Sequence, residues 1–99
     1  MLGEYELSCA ALRHAHQLDP QDQDTANLLF SDAIVLAQSE FKQKQYERCL
    51  VYLQVAAELR SADPDVHWRL AAVYRLLGRG AEADREREDA ERLGKASAQ

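Results

Sequence analysis

Alanine-sized residues recur in register along this chain, and that recurrence limits the folds open to it. A shift of 34 residues places Leu36 on Leu70, Ala37 on Ala71, Cys49 on Ala83, Ala56 on Ala90 and Leu59 on Leu93. A shift of 41 places Tyr5 on Tyr46, Ser8 on Cys49, Leu12 on Leu53, Ala15 on Ala56 and Leu18 on Leu59. Periods of this size mark arrays in which each unit is one supersecondary element. Small residues at fixed places let two antiparallel helices approach closely, and Leu36, Leu53 and Leu70 fill the seam. No helix pair of this kind buries its own face, so stacked neighbours complete the core. The difference between the two shifts is about two helical turns, which lengthens the second helix at its start.

Local signals set the expected helices. Tyr5, Cys9, Leu12, Ala15 and Leu18 are spaced at three and four, one buried stripe on a helix over residues 3–19. Asp19-Pro20 stops it, because a residue before proline is pushed out of the α region. Asp22 and Asp24 offer N-caps for a long helix to about Lys44. A third helix runs from Gln45-Tyr46 to Leu59. Pro64 and Asp65 open a fourth, ending at Leu77, because proline suits a first turn. A fifth spans Ala81 to Leu93, with Gly94 as a left-handed C-cap and Lys95 to Gln99 as a frayed tail. Ala, Leu, Glu, Arg and Gln dominate, and all are helix formers. The expected fold is all-α, about five helices, in a single domain over 1–99.

The residues Leu70-Ala71-x-x-Tyr74-x-x-x-Gly78-x-x-x-x-Ala83-x-x-x-x-x-x-Ala90 resemble the tetratricopeptide repeat. Gly3, Tyr5, Ser8, Leu12, Ala15 and Asp19-Pro20 resemble a second half of the same unit. The middle unit diverges: Glu40 stands in an aromatic slot and Lys44 in the turn-glycine slot, while Tyr46, Cys49 and Ala56 keep their places. His67 occupies the Trp slot, one residue ahead of Trp68, and Arg87 replaces a bulky apolar residue. The resemblance covers residues 3 to 93. It implies a short right-handed α-solenoid of antiparallel helix pairs, divided into a partial repeat at 3–19, a repeat with a lengthened first helix at 24–60, a repeat with a charged terminal helix at 64–93, and a tail at 94–99.

Composition excludes several functions. Twelve Lys and Arg against seventeen Asp and Glu leave a net charge of −5, whereas nucleic-acid binding needs a clustered basic face. No apolar run reaches the ~20 residues that span a bilayer. Glu4 and Glu6 stand where a signal peptide would be apolar. Cys9 and Cys49 are read as buried thiols in a reducing, cytoplasmic compartment. His14 and His16 point in different directions on a helix and share no metal. Gly78-Arg79-Gly80 lacks the Lys-Ser/Thr of a phosphate loop. Asp22 and Asp24 read as capping residues, without the glycine and glutamate of a calcium loop. The alternating charges from Asp84 to Arg92 make a solvated helix face. No catalytic residue, cofactor or metal is expected, and the chain is read as no enzyme.

What remains is surface. In the resembling family the first helix of each pair lines a concave groove, which implies Ile34, Val35, Gln38 and Phe41 on the long helix, beside Ser31 and Lys42. It implies Trp68, Arg69, Ala72 and Arg75 on the fourth helix, beside Asp65 and Leu76. Aromatic and Arg side chains suit an interface centre. The family's carboxylate grip is not reproduced, because Gln38 and Ala72 hold its Asn slots. An apolar helix or extended segment is therefore the expected ligand. The chain is expected to be a non-catalytic module binding a protein or peptide, within a larger scaffold. The alternative is a domain that assembles as a homodimer through its first helix and long second helix. The chain begins in mid-repeat, and two explanations stay open: the end of a longer solenoid, or a face covered by a second copy.

Overall fold

A computed structural model describes residues 3–97. Among these the chain forms five helices and no strand: α1 (Glu4–Leu18), α2 (Gln23–Lys42), α3 (Tyr46–Leu59), α4 (Pro64–Leu76) and α5 (Gly80–Ser97). Each packs on the helices before and after it in the chain, most extensively within the α2–α3 and α4–α5 pairs. The result is one flat layer, 34 × 33 × 17 Å. Contact restricted to chain neighbours is the mark of a solenoid.

The helix starts follow the side chains. The Glu6 carboxylate accepts from the Gly3 backbone N–H ahead of α1. Asp22 caps α2, accepting from the backbone N–H groups of Asp24 at 3.1 Å and Thr25 at 3.3 Å, and from the Thr25 hydroxyl at 2.9 Å. Asp63 caps α4, with Pro64 in its first turn. Each cap satisfies donors that a helix start leaves without partners.

The helix ends repeat one another. After α2, Gln45 N–H reaches the Glu40 carbonyl at 2.8 Å and Lys44 N–H reaches Phe41 at 3.0 Å. After α4, Arg79 N–H reaches Tyr74 at 2.8 Å and Gly78 N–H reaches Arg75 at 3.1 Å. Both are Schellman motifs, which need a residue with positive φ between the last helical turn and the next element. Gly78 supplies it at φ 75°, and Lys44, in the corresponding place, supplies it at φ 61°.

The small residues line the crossings. Ala37, Ala56, Ala71, Ala83 and Ala90 are all buried, with Ala83 and Ala90 at 0% and 1% exposed. Leu29, Leu53, Val66 and Val73 fill the largest closed positions between them.

Two expectations are corrected. The stripe on α1 is not buried as a whole. Cys9 is buried and Leu12 packs against the core, but Tyr5, Ala15 and Leu18 are exposed, Leu18 by 74%. Cys49 and Ala56, the α3 counterparts of Ser8 and Ala15, are closed, whereas Ser8 and Ala15 lie open. Among the described residues α1 has a neighbour on one side only. Periodicity names the faces that are apolar, and a second helix must be present before a face is buried.

The fifth helix also does not stop at Gly94. It continues to Ser97, and Gly94 lacks a positive φ. A glycine inside a helix costs only about 1 kcal/mol relative to alanine. A left-handed cap is enforced when the chain must turn back onto a following helix, as it does at Gly78, and no helix follows α5 among the described residues.

Candidate functional site

A groove runs between α2 and α4, floored by α3. Ala37, Gln38, Phe41 and Lys42 face it from α2, Cys49 and Leu53 from α3, and Arg69, Ala72 and Val73 from α4. Its volume is about 480 Å³. Small residues on the two helices keep it open: Ala37 of α2 and Ala72 of α4 leave room that longer side chains would fill. Phe41 stands at the rim, 42% exposed. Its ring meets Tyr46 edge-on, with centroids 5.6 Å apart, an arrangement that favours the ring quadrupoles.

The groove is apolar below and cationic above. Leu53, Val73 and Ala37 make the base, and Lys42 and Arg69 are the charged residues among those that line it. No carboxylate lines it, although the chain as a whole carries −5. Burial pushes the Cys49 thiol above its ordinary range, with Glu40 adding to the rise and Arg69 opposing it. A thiol held protonated is a packing group and a poor nucleophile.

The structure sorts the residues picked out from sequence. Gln38, Phe41, Arg69 and Ala72 come together in the groove. Ile34 does not, and instead packs against the core. Val35 and Trp68 are partly exposed but do not line the groove. Arg75 reaches Asp84 of α5 at 3.7 Å. Trp68 sits outside because Val66, Leu70 and Val73 take the inward positions of α4. Trp68 therefore lies on the side of α4 turned away from the core, beyond Ala72 of the groove wall. The α3 floor of the groove, Cys49 and Leu53, was legible only as core; the signal was there in their alignment with the crossing positions.

Glu40 is a further departure. It is buried, 5% exposed, and its Oε1 lies 3.5 Å from Arg48 Nη2. Its Oε2 is buried without a hydrogen bond from the protein. A half-satisfied carboxylate thus stands at a position where the tetratricopeptide pattern has an aromatic residue. Such a group costs stability.

The fold defines the chain as an all-α solenoid of stacked antiparallel helices. No protein-family model matches it, and no curated protein matches it. Among solved structures it superposes on MamA MSR-1 C2, a protein containing tetratricopeptide repeats, with a TM-score of 0.56 and 19% identity, over 95% of this chain and 50% of that one. The two share a fold at that level of identity, and this chain spans half the length of the chain it matches. No helix among the described residues is long and apolar enough to cross a membrane.

Proposed function

We propose that the chain is a non-catalytic protein-interaction module whose α2–α4 groove takes an apolar side chain from a partner segment, extended or helical, with an acidic residue beside it. The observation that carries this reading is the combination of an apolar base with Lys42 and Arg69 at the rim, in a chain whose net charge is negative. Apolar burial supplies the affinity, and paired charge steers approach and fixes register. Phe41 is the anchor in this reading because it is a large aromatic residue left partly open to a partner. Titration against a library of apolar peptides with acidic or basic flanks tests it. Phe41→Ala, or Ala72→Leu to fill the groove, should weaken an acidic-flanked ligand at least tenfold, while Trp68→Ala leaves it unchanged. Equal binding of basic and acidic ligands, or indifference to Phe41→Ala and Ala72→Leu, would sink the proposal.

A second reading is favoured by one observation of its own. Ser8, Ala15 and Leu18 of α1 lie open although Cys49 and Ala56 of α3, and Ala83 and Ala90 of α5, are closed at the matching positions. In this reading a second copy covers the α1 face and assembly is the role. Sedimentation should then show a dimer that Leu18→Asp dissociates. A monomer at high micromolar concentration rules it out.

A further inference from the structure

The contact between α4 and α5 holds three ligand-bearing side chains that the groove does not use. His67 Nε2 lies 2.7 Å from the Ser61 carbonyl oxygen, and its Nδ1 lies 2.6 Å from Glu86 Oε2. A carbonyl only accepts, so Nε2 carries the hydrogen and donates it to Ser61. In the neutral ring, Nδ1 then turns a lone pair toward a carboxylate. Two lone pairs at that separation repel unless a cation lies between them, and the cation is a proton or a metal ion. Asp89, three residues after Glu86 and so on the same helix face, brings a second carboxylate. One ligand atom from each of His67, Glu86 and Asp89 lies within 4.8 Å of the other two.

We propose that His67, Glu86 and Asp89 form a binding site for a divalent transition-metal cation of the zinc type, clamping α5 to α4. One imidazole and two carboxylates are a donor set that zinc accepts, with metal–ligand distances of about 2.0–2.2 Å. Ligand atoms on such a tetrahedron stand about 3.4 Å apart, so Glu86 withdraws by less than 1 Å and Asp89 closes in. Both are adjustments of side-chain torsion on a fixed helix. A divalent ion neutralises the two carboxylates in full, whereas a proton on His67 offsets only half of their charge.

The surroundings support the same assignment. A ligating histidine characteristically donates its other ring N–H to a backbone carbonyl or carboxylate, which fixes the tautomer, and His67 already donates Nε2–H to the Ser61 carbonyl. The His67 and Glu86 side chains are 12% and 23% exposed, shielded from bulk water yet open to entry. Arg92 Nη2 holds Asp89 Oδ1 at 3.1 Å, leaving Oδ2 to ligate. Three protein ligands leave a fourth position for water. Neither cysteine belongs to the cluster: Cys49 lies in the groove and Cys9 on α1.

The test is thermal unfolding of the full chain in chelator and with added zinc, joined to absorption spectra with cobalt as the probe. Zinc at a hundredfold excess over Kd should raise Tm by roughly 10 °C or more. Cobalt should give visible bands without thiolate charge transfer. His67→Gln and Asp89→Asn should each abolish both signals, while Cys9→Ser and His14→Gln leave them intact. Comparing each variant with itself in chelator separates lost metal binding from lost stability. A wild-type Tm indifferent to zinc overturns the site, leaving a histidine–carboxylate ion pair. A zinc shift that survives His67→Gln, or a thiolate band with cobalt, overturns it by placing the metal elsewhere.

Discussion

Replacing Glu40 by methionine should stabilise this protein. Methionine keeps the length of the side chain and its helix propensity while removing the buried carboxylate. Oε2 is buried without a hydrogen bond from the protein, and a buried polar atom left in that state costs about 1–3 kcal/mol. The change also removes the contact with Arg48, whose side chain is 62% exposed; pairing to so exposed a partner contributes about 0–1 kcal/mol. The net expectation is a gain of about 1–2 kcal/mol. For a domain of this size each 1 kcal/mol moves Tm by about 4–8 °C. Urea unfolding followed by circular dichroism should show a higher midpoint at constant slope, the sign of changed stability without changed compactness. A methionine variant less stable than the parent would refute the reasoning, because it would mean that the carboxylate makes favourable interactions outweighing its desolvation.

Lys44 holds a positive φ of 61° in the place that Gly78 fills in the next unit. The left-handed conformation costs a non-glycine residue about 1–2 kcal/mol, and glycine loses about 0.4–1 kcal/mol through its freer unfolded chain. Lys44→Gly should therefore stabilise by about 0.5–1 kcal/mol, and Gly78→Ala should destabilise by a similar amount, both read as urea midpoints. Ala90→Leu should cost about 1–3 kcal/mol by forcing α4 and α5 apart, visible as a lower Tm; an unchanged Tm would mean that the crossing is loosely packed. The pH dependence follows from His67 in chelator. Burial lowers its pKa, but the Glu86 hydrogen bond, the Ser61 carbonyl, and the charges of Glu86 and Asp89 outweigh it, and the net shift is upward from 6.5. A raised folded pKa means that the protonated ring stabilises the fold. Its contribution should be complete below pH 6.5 and vanish as pH rises through the raised value, and Glu86→Gln should flatten that profile.

Much of the fold was legible in the chain because its determinants are local. Asp22 announces a helix start through atoms two or three residues away, and Pro64 announces another through the fixed φ of its own ring. Alanines spaced to fall on one face announce close crossings wherever a partner helix arrives. The correspondence of Lys44 with Gly78 could be read from alignment alone, and the backbone gives both the same left-handed turn. Part of the groove lining was also singled out in the sequence: Gln38, Phe41, Arg69 and Ala72 are among the residues that face it.

Tertiary structure decided everything that depends on a residue's distance from chain positions far away. Trp68 and Ile34 have the composition of an interface, yet helix rotation turns one beside the groove and the other into the core. Periodicity marks Leu18 as apolar but cannot say whether a helix lies over it. His67 and Glu86 stand 19 residues apart and meet only because α5 folds back along α4. Spacing along a helix fixes direction within a turn or two, whereas burial and pairing are set by which other helix occupies the space.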